Sequence, residues 1–207
     1  PRIAMLYGTR SRGTATPARV RWSYPRVQLL RELGTSFASI ANYSPSSMTL
    51  TGTGLAESVA GEIISPNYLT LLRVKPALGR NFLPDEDLAP GANPIALLGH
   101  ALWQRRFAGD SAIVGRTVGV HRVVLTIVGV LPSGFTGLSG RAELWIPTTR
   151  APAVTYPEYL TSNQNFISAV GRLRSGTDLA RAQAELQVIG ARIGLALPPR
   201  DPEPGET

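Results

Sequence analysis

Residues 65–135 contain the motifs SPNYLTLLRVKPALGRNFLPDED (65–87), LWQRRF (102–107), IVGRTV (113–118) and LTIVGVLPSGF (125–135). Each motif marks a helix start, a tight turn or a short apolar strand. Ser65-Pro66, for example, combines a capping side chain with a proline at the first helical position. Because these signals alternate and none of them forms a catalytic constellation, the stretch decides the fold and carries no chemistry of its own.

The N-terminal segments predict one strand, one helix and one hairpin. A short apolar run at 3–7 predicts a strand, and the rest of the first 22 residues reads as a loop. Ser23, followed by Pro25 in the first turn, predicts a helix that ends at Gly34. Residues 37–50 and 57–64 flank a Thr/Gly turn and predict two paired strands.

After residue 93 the pattern changes to short strands around one amphipathic helix. The predicted elements are strands at 94–98, 117–120, 123–130, 143–147 and 166–173 and a helix at 99–107. Residues 151–165 predict a loop. The final helix has one apolar face, formed by Leu179, Ala182, Leu186, Ile189 and Ile193. The Pro- and Gly-containing tail, residues 198–207, is predicted to be disordered.

The composition fits a folded domain. Hydrophobic residues make up 43% of the 207 residues and charged residues 17%, which argues against wholesale disorder. The absence of cysteine excludes disulfides, thiolate zinc sites and cysteine nucleophiles. No run approaches the roughly 18 apolar residues that a membrane span needs, so we expect a soluble chain. The chain starts at Pro1 without a signal peptide, which indicates a piece of a larger protein.

The net charge of +7 comes from twenty arginines and the single lysine Lys75. The arginines are scattered along the chain and do not form a basic stripe interleaved with aromatic residues. This skew is typical of a GC-rich genome, and it does not by itself predict binding of nucleic acid.

No motif predicts a catalytic, cofactor or metal site. His100 and His121 lack acidic or cysteine neighbours at ligand spacing. The sequence 137–140, GLSG, only approximates a nucleophile elbow, and 52–54, GTG, lacks the third glycine of a dinucleotide fingerprint. The acidic run 85–87 is interpreted as a solvated loop facing nearby arginines, because calcium loops need spaced ligands. We therefore predict no catalytic residue, no cofactor and no metal ligand.

The three tryptophans are interpreted as structural. Trp103 lies on the same predicted helix face as Phe107, and Trp145 stands between apolar neighbours in a predicted strand, so both are expected to pack in a core. Trp22 is expected to cover the end of the first helix.

The order of the motifs resembles the extracytoplasmic core domain of MacB-type ABC transporter permeases, and is most similar to the long, duplicated permeases that lack a fused ATPase. The matching motifs are SYP (23–25), SPNY (65–68), VKPALGR (74–80), Phe82, Asp87, LWQRRF (102–107), VGRT (114–117), VGV (128–130), Pro132, GF (134–135), LWIP (144–147), VGRL (170–173), Gly176 and AQAEL (182–186). They cover about residues 22–195. Two departures are Arg26, where the family usually has an acidic residue, and His121-Arg122, where it usually has Asn-Gly.

The resemblance implies an α+β ectodomain of two parts. We expect a βαβ-rich, porter-like subdomain from residues 1–91 plus 151–197, with a smaller mixed α/β subdomain inserted at 92–150. The Pro/Gly stretch near Pro90 supports the first of these boundaries. The domain would lie outside the cytoplasmic membrane, in the periplasm, between two transmembrane helices that flank this chain.

The function that the resemblance implies is non-catalytic. The domain would convert ATP hydrolysis by a cytoplasmic ABC ATPase subunit into movements that act on an extracytoplasmic substrate or partner protein. Two alternatives from other classes stay open. One is a soluble serine hydrolase with His100 as the base, and the other is an Arg-rich nucleic-acid-binding domain.

Overall fold

A computed structural model describes residues 2–10, 18–52, 54–89 and 93–197. It divides into two compact units. The first unit is formed by Pro1–Ile40 and Thr161–Thr207, and the second unit by Ala41–Leu160. The second unit is therefore inserted into the chain of the first. Among the described residues, no helix combines the length and the apolarity that crossing a bilayer requires.

The described residues form five α-helices and eleven β-strands. The helices are α1 (Tyr24–Leu33), α2 (Tyr68–Leu72), α3 (His100–Phe107), α4 (Ala151–Val154) and α5 (Leu179–Ala196). The strands are β1 (Ile3–Leu6), β2 (Gly8–Arg10), β3 (Ala18–Val20), β4 (Phe37–Thr51), β5 (Glu57–Ile64), β6 (Leu78–Gly79), β7 (Ile95–Leu98), β8 (Thr117–Val120), β9 (Val123–Val130), β10 (Leu144–Pro147) and β11 (Ser168–Leu173). Short 3-10 helices occur at Pro84–Asp87, Ser111–Ile113, Thr148–Arg150 and Pro157–Leu160.

In the first unit, β11 lies between β1 and β4 in the sheet. The β1–β11 pair is antiparallel, with Ile3 opposite Arg172 and Leu6 opposite Ala169. The strands β2 and β3 form a separate antiparallel hairpin. Trp22 joins these parts, because its indole N–H donates to the Leu6 carbonyl at 2.8 Å.

The helices of the first unit begin and end at the residue types that helix termini favour. Pro25 occupies the first turn of α1, and the Gly34 N–H closes the helix on the Leu30 carbonyl at 3.0 Å. The Asp178 side chain caps α5 by accepting the Arg181 N–H at 2.7 Å. Glu185 of α5 accepts the backbone N–H of Thr35 at 2.8 Å, which fixes the helix to the segment between α1 and β4.

The second unit is built on a mixed sheet. β5 pairs antiparallel with β4 and parallel with β10, and β7 pairs antiparallel with β10 and parallel with β9. β6 pairs with β9, while β8 pairs with both β4 and β9. All four residues of β7 are apolar and buried, as expected for a strand with neighbours on both sides.

The α+β class, the insertion and most predicted elements are confirmed. The predicted loop before Trp22 differs, since it contains the β2–β3 hairpin with residues 11–17 outside the described part. The predicted loop at 151–165 contains α4 and a 3-10 helix. The predicted tail, 198–207, also lies outside the described residues.

The division into subdomains differs from the predicted one. The predicted boundary at 91/92 lies outside the described residues, but residues 41–89 belong to the second unit and not to the first. The reason is strand pairing: β5 lies between β4 and β10, and β6 pairs with β9. These ladders tie the segment before the Pro/Gly stretch to the segment after it, so the inserted unit is the longer of the two.

Candidate functional site

Glu62 of β5 carries a carboxylate that is completely buried in the second unit. The Tyr68 hydroxyl and the Trp145 indole N–H each donate to Oε2 at 2.9 Å, and the Ser139 N–H donates to Oε1 at 2.7 Å. A buried carboxylate is costly unless hydrogen bonds replace its lost water. These donors therefore both satisfy Glu62 and hold the loop of residues 132–142 against β5. We call these four residues the Glu62 cluster.

The chemistry of the Glu62 cluster is that of a structural clamp. Burial raises the pKa of Tyr68 well above its ordinary range, and the adjacent Glu62 carboxylate raises it further. Tyr68 therefore stays protonated, donates to Glu62 and accepts the Leu138 N–H at 2.8 Å. A side chain at Gly137, whose φ is 70°, would overlap the Glu62 carboxylate, so glycine is needed there.

The acidic run 85–87 is only partly solvated, which corrects the prediction of a solvated loop. Asp85 is exposed, but Glu86 is buried and forms a bidentate ion pair with Arg80 at 2.6 and 2.8 Å. The hydrogen bond from Arg80 lowers the pKa of Glu86 below its ordinary value. Asp87 accepts both the N–H and the hydroxyl of Thr149 at 2.7 Å. Asp87 thus joins two distant segments, and the carboxylates of Glu86 and Asp87 are already paired.

A second polar group lies at the surface of the second unit around α3. The Arg105 guanidinium bonds to Glu143 at 2.9 Å and to Glu57 at 2.7 Å, and these hydrogen bonds raise its pKa. Arg106 also contacts Glu57, at 3.5 Å. The Arg105 side chain is 46% exposed, so water and salt weaken these pairs and they contribute little to stability.

The first unit contains a groove of about 940 Å³ between β1, the β2–β3 hairpin and one face of α5. Its lining is mostly apolar and includes Arg19, Arg21 and Arg26. Arg26 donates to the Asn165 side chain and to the Leu197 carbonyl, both at 2.8 Å. The walls of this groove come from both ends of the chain, so no local sequence pattern predicts it.

The histidines are not brought into a catalytic arrangement. His100 opens α3 and its ring meets Trp103 edge-on at 5.3 Å, while His121 occupies the β8–β9 turn with φ of 53°. Within the described part of the chain, no serine hydroxyl donates to either imidazole. Ser139 belongs to the Glu62 cluster instead.

The possible metal ligands, the tryptophans and the GTG glycines are the remaining candidates from the sequence. No group of His, Cys, Asp or Glu among the described residues could hold a metal ion. Trp145 is buried as predicted, but Trp103 is only half-buried and donates to the Asp110 carbonyl at 2.9 Å. In the GTG sequence, Gly52 and Gly54 lie in the β4–β5 turn, and Thr53 lies outside the described residues.

Sequence comparison assigns the chain to a family. Residues 2–189 match the description "MacB-like periplasmic core domain". The chain belongs to the MacB-like periplasmic core domain family. The match spans both units and includes β1, which lies outside the motifs quoted above. A search of curated proteins returns no significant match.

Solved structures share the fold. The periplasmic region of MacB from Actinobacillus actinomycetemcomitans superposes with a TM-score of 0.71 at 14% identity, covering 93% of this chain and 84% of that one. The extracellular domain of the noncanonic ABC-type transporter YknZ from Gram-positive bacteria gives 0.71 at 15% identity, covering 93% and 95%. A domain of a putative permease from Porphyromonas gingivalis gives 0.64 at 19% identity, covering 92% and 81%. These likenesses show that the chain shares the fold of these periplasmic and extracellular domains.

Proposed function

We propose that this MacB-like domain transmits movement from a cytoplasmic ABC ATPase, through its parent permease, to an extracytoplasmic substrate or partner protein, and that it catalyses no reaction. The observation that carries the proposal is the family match over residues 2–189, together with the structural use of the chain's polar clusters. His100 packs edge-on against Trp103, His121 lies in the β8–β9 turn, and the carboxylates of Glu62, Glu86 and Asp87 are already hydrogen-bonded.

The build of the second unit supports a mechanical role. A part that transmits movement must keep its shape, and bistable packed elements move as rigid bodies rather than deforming continuously. Glu62 and Asp87 each join segments that are far apart in the sequence through buried or half-buried hydrogen bonds. Such links resist local deformation because breaking one leaves a desolvated charge. We therefore regard the second unit as the rigid lever of the domain.

The proposal places the domain on the periplasmic side of the membrane, attached through the parent permease and working without a cofactor. Its direct partners are the permease's own membrane segments and an extracytoplasmic protein or substrate. The ATPase subunit acts on it through the permease. The hydrolase and nucleic-acid alternatives gain no support from the geometry, since no serine hydroxyl bonds to a histidine within the described ranges and the arginines near Glu57 and Glu86 are ion-paired.

The test follows the domain's position during ATP turnover. The chain has no cysteine, so Val124→Cys, at an exposed site in the second unit, gives one labelling position in the domain. We expect energy transfer from a donor on this residue to an acceptor lipid, in a nanodisc holding the permease and its ATPase, to change when ATP with vanadate replaces ADP. An unchanged transfer efficiency under both conditions would contradict the proposal.

A control variant separates rigid movement from deformation. Leu55→Cys combined with Val124→Cys places two labels on exposed residues within the second unit. The distance between these labels should stay constant while the distance to the membrane changes.

A separate experiment tests the hydrolase alternative. Covalent modification of a serine by a fluorophosphonate would favour that alternative.

A further inference from the structure

A small polar pocket of about 230 Å³ lies in the second unit, where β4, β5 and the loop of residues 132–142 meet. Ser46 and Ser47 of β4 line it together with Ser58 and Ala60 of β5, and Arg141 forms its wall. One water molecule needs roughly 10–15 Å³, and pockets for complete small molecules have ~300–1,000 Å³. The pocket therefore suits a single polar group of a ligand.

Two serine hydroxyls form the floor of the pocket. Ser47 lies opposite Ala60 in the β4–β5 ladder, and Ser58 precedes Ala60 by two residues. Alternate residues of a strand share one face, so the three side chains point to the same side of the sheet. The Oγ atoms of Ser47 and Ser58 lie 3.0 Å apart. One hydroxyl donates to the other, so the hydrogen of the accepting hydroxyl stays available to a ligand.

The wall of the pocket carries a positive charge. Of the described residues that line the pocket, Arg141 alone is charged. Within the described part of the chain, its guanidinium takes part in no hydrogen bond or ion pair. Glu143, the nearest carboxylate in the sequence, is bonded to Arg105 at 2.9 Å instead. A guanidinium pairs best with an oxyanion, so the wall favours a negatively charged group.

The backbone on both sides of Arg141 is fixed to β5. Before it, the Ser139 N–H donates to Oε1 of Glu62 at 2.7 Å. After it, the Glu143 N–H donates to the Ala60 carbonyl at 2.8 Å. The loop therefore holds Arg141 beside the pocket before any ligand arrives, which lowers the entropy that binding costs. The Glu62 cluster thus also positions the loop that carries this arginine.

We propose that this pocket binds a phosphate group, with Arg141 and the hydroxyls of Ser47 and Ser58 as its donors. The oxygens of a phosphate point in tetrahedral directions, so one pair faces the guanidinium while another oxygen accepts from the floor. A carboxylate holds its two oxygens in one plane, and a bidentate guanidinium engages both, so fewer lone pairs remain for the floor. A free phosphate compound and a lipid headgroup present the same oxygens. The site does not depend on ATP-driven movement of the domain.

NMR titration of the isotope-labelled 207-residue chain tests the proposal. Inorganic phosphate or acetate is added at neutral pH, with chloride holding the ionic strength constant. We expect phosphate to shift the amide signals of Ser47, Ser58 and Arg141 saturably, and acetate to bind more weakly. Arg141→Gln should weaken phosphate binding at least about tenfold, because it removes a charged hydrogen-bond donor.

Two further variants separate the pocket from general charge effects. Arg122→Gln removes the same charge from an exposed site in the β8–β9 turn, and phosphate affinity should stay within about twofold because salt screens distant charges. The double variant Ser47→Ala/Ser58→Ala keeps the charge of Arg141 and removes the floor donors. We expect it to weaken phosphate binding about three- to tenfold, the range for a neutral hydrogen bond. Unchanged signals elsewhere in each spectrum show that the variants stay folded.

Three outcomes overturn the assignment. Acetate binding as tight as phosphate binding identifies a carboxylate site. Equal losses in Arg122→Gln and Arg141→Gln mean that phosphate only screens a basic surface. Shifts that grow with phosphate without saturating mean that the pocket holds no ligand.

A last titration identifies the source of the phosphate group. If phosphatidylglycerol vesicles broaden the same three amide signals, and do so less in Arg141→Gln, the ligand is a lipid headgroup. Phosphate binding without any effect of the vesicles supports a free phosphate compound.

Discussion

The two units satisfy their buried surfaces in different ways. The second unit contains a fully buried carboxylate, Glu62, that accepts hydrogen bonds from nearby Tyr68 and from the distant residues Ser139 and Trp145. The first unit leaves an open groove beside β1, and of the eighteen residues of α5 only Ala182, Ile189 and Ile193 are buried. The two units therefore differ in how their described residues are buried: the second unit encloses a hydrogen-bonded carboxylate, whereas most of α5 in the first unit is exposed.

The largest effect on stability is expected at Glu62 in the second unit. Glu62→Ala leaves the Tyr68 hydroxyl, the Trp145 indole N–H and the Ser139 N–H without their acceptor in a buried space. We expect the free energy of unfolding to fall by about 3–5 kcal/mol, the range for breaking a buried charged network. Urea unfolding curves measure this loss, and hydrogen exchange of the β10 amides shows whether it arises in the second unit.

A surface variant serves as control for that loss. Glu32→Ala removes an exposed carboxylate from α1, and we expect a change within about 0.5 kcal/mol. If Glu62→Ala is as mild as Glu32→Ala, the Glu62 cluster does not hold the second unit together.

A smaller effect is expected from a pair of glycines in the loop that Glu62 holds. Gly137 and Gly140 have φ of 70° and 75°, but a Cβ at Gly137 would overlap the Glu62 carboxylate, whereas one at Gly140 would meet nothing within 4 Å. Gly140→Ala should cost about 1 kcal/mol through its backbone conformation alone. Gly137→Ala should cost roughly 1–3 kcal/mol more because of overpacking. Thermal unfolding of both variants gives the difference, and equal costs would show that the loop yields freely.

The contrast between the units also explains what the sequence could and could not predict. Helix α5 was predictable, because Leu179, Ala182, Leu186, Ile189 and Ile193 repeat at helical spacing and Asp178 caps it. Such signals act over a few residues. The Glu62 cluster was missed because two of its partners lie 77 and 83 residues away, and no local pattern identifies a lone buried glutamate.

The boundary of the units was missed for a related reason. The first boundary, between Ile40 and Ala41, falls inside the uninterrupted strand β4. Composition changes at turns, and the predicted boundary rests on the Pro/Gly composition near Pro90, whereas the units divide at 40/41 and 160/161. Which strand pairs with which decides membership, and β5 pairs with β10 across some 80 residues. Family resemblance supplied the α+β class and the insertion, but not this pairing.

A third, smaller effect on stability is expected at Glu185 in the first unit. Burial raises the pKa of this carboxyl, but hydrogen bonds from Thr35 and Ser36 outweigh it, and the pKa lies below its ordinary value. The stabilisation is therefore present above the unfolded-state pKa and is lost as pH falls through the lower folded-state pKa. Glu185→Gln should cost about 1–2 kcal/mol at pH 7 and progressively less in acid. Unfolding curves across this pH range test the sign, and a cost that grows in acid would contradict it.

The smallest effect on stability is expected from alanine substitutions in α5, and its sign shows whether the groove beside the helix is empty. Gly190→Ala places a methyl group in the groove where no described atom lies within 4 Å, so the expected change is a gain in helix propensity. We expect the free energy of unfolding of the 207-residue chain to rise by about 0.5–1 kcal/mol, and Gly194→Ala to behave alike. Both changes are measured by thermal unfolding. Destabilisation by either variant would mean that another part of the 207-residue chain already fills the space beside α5.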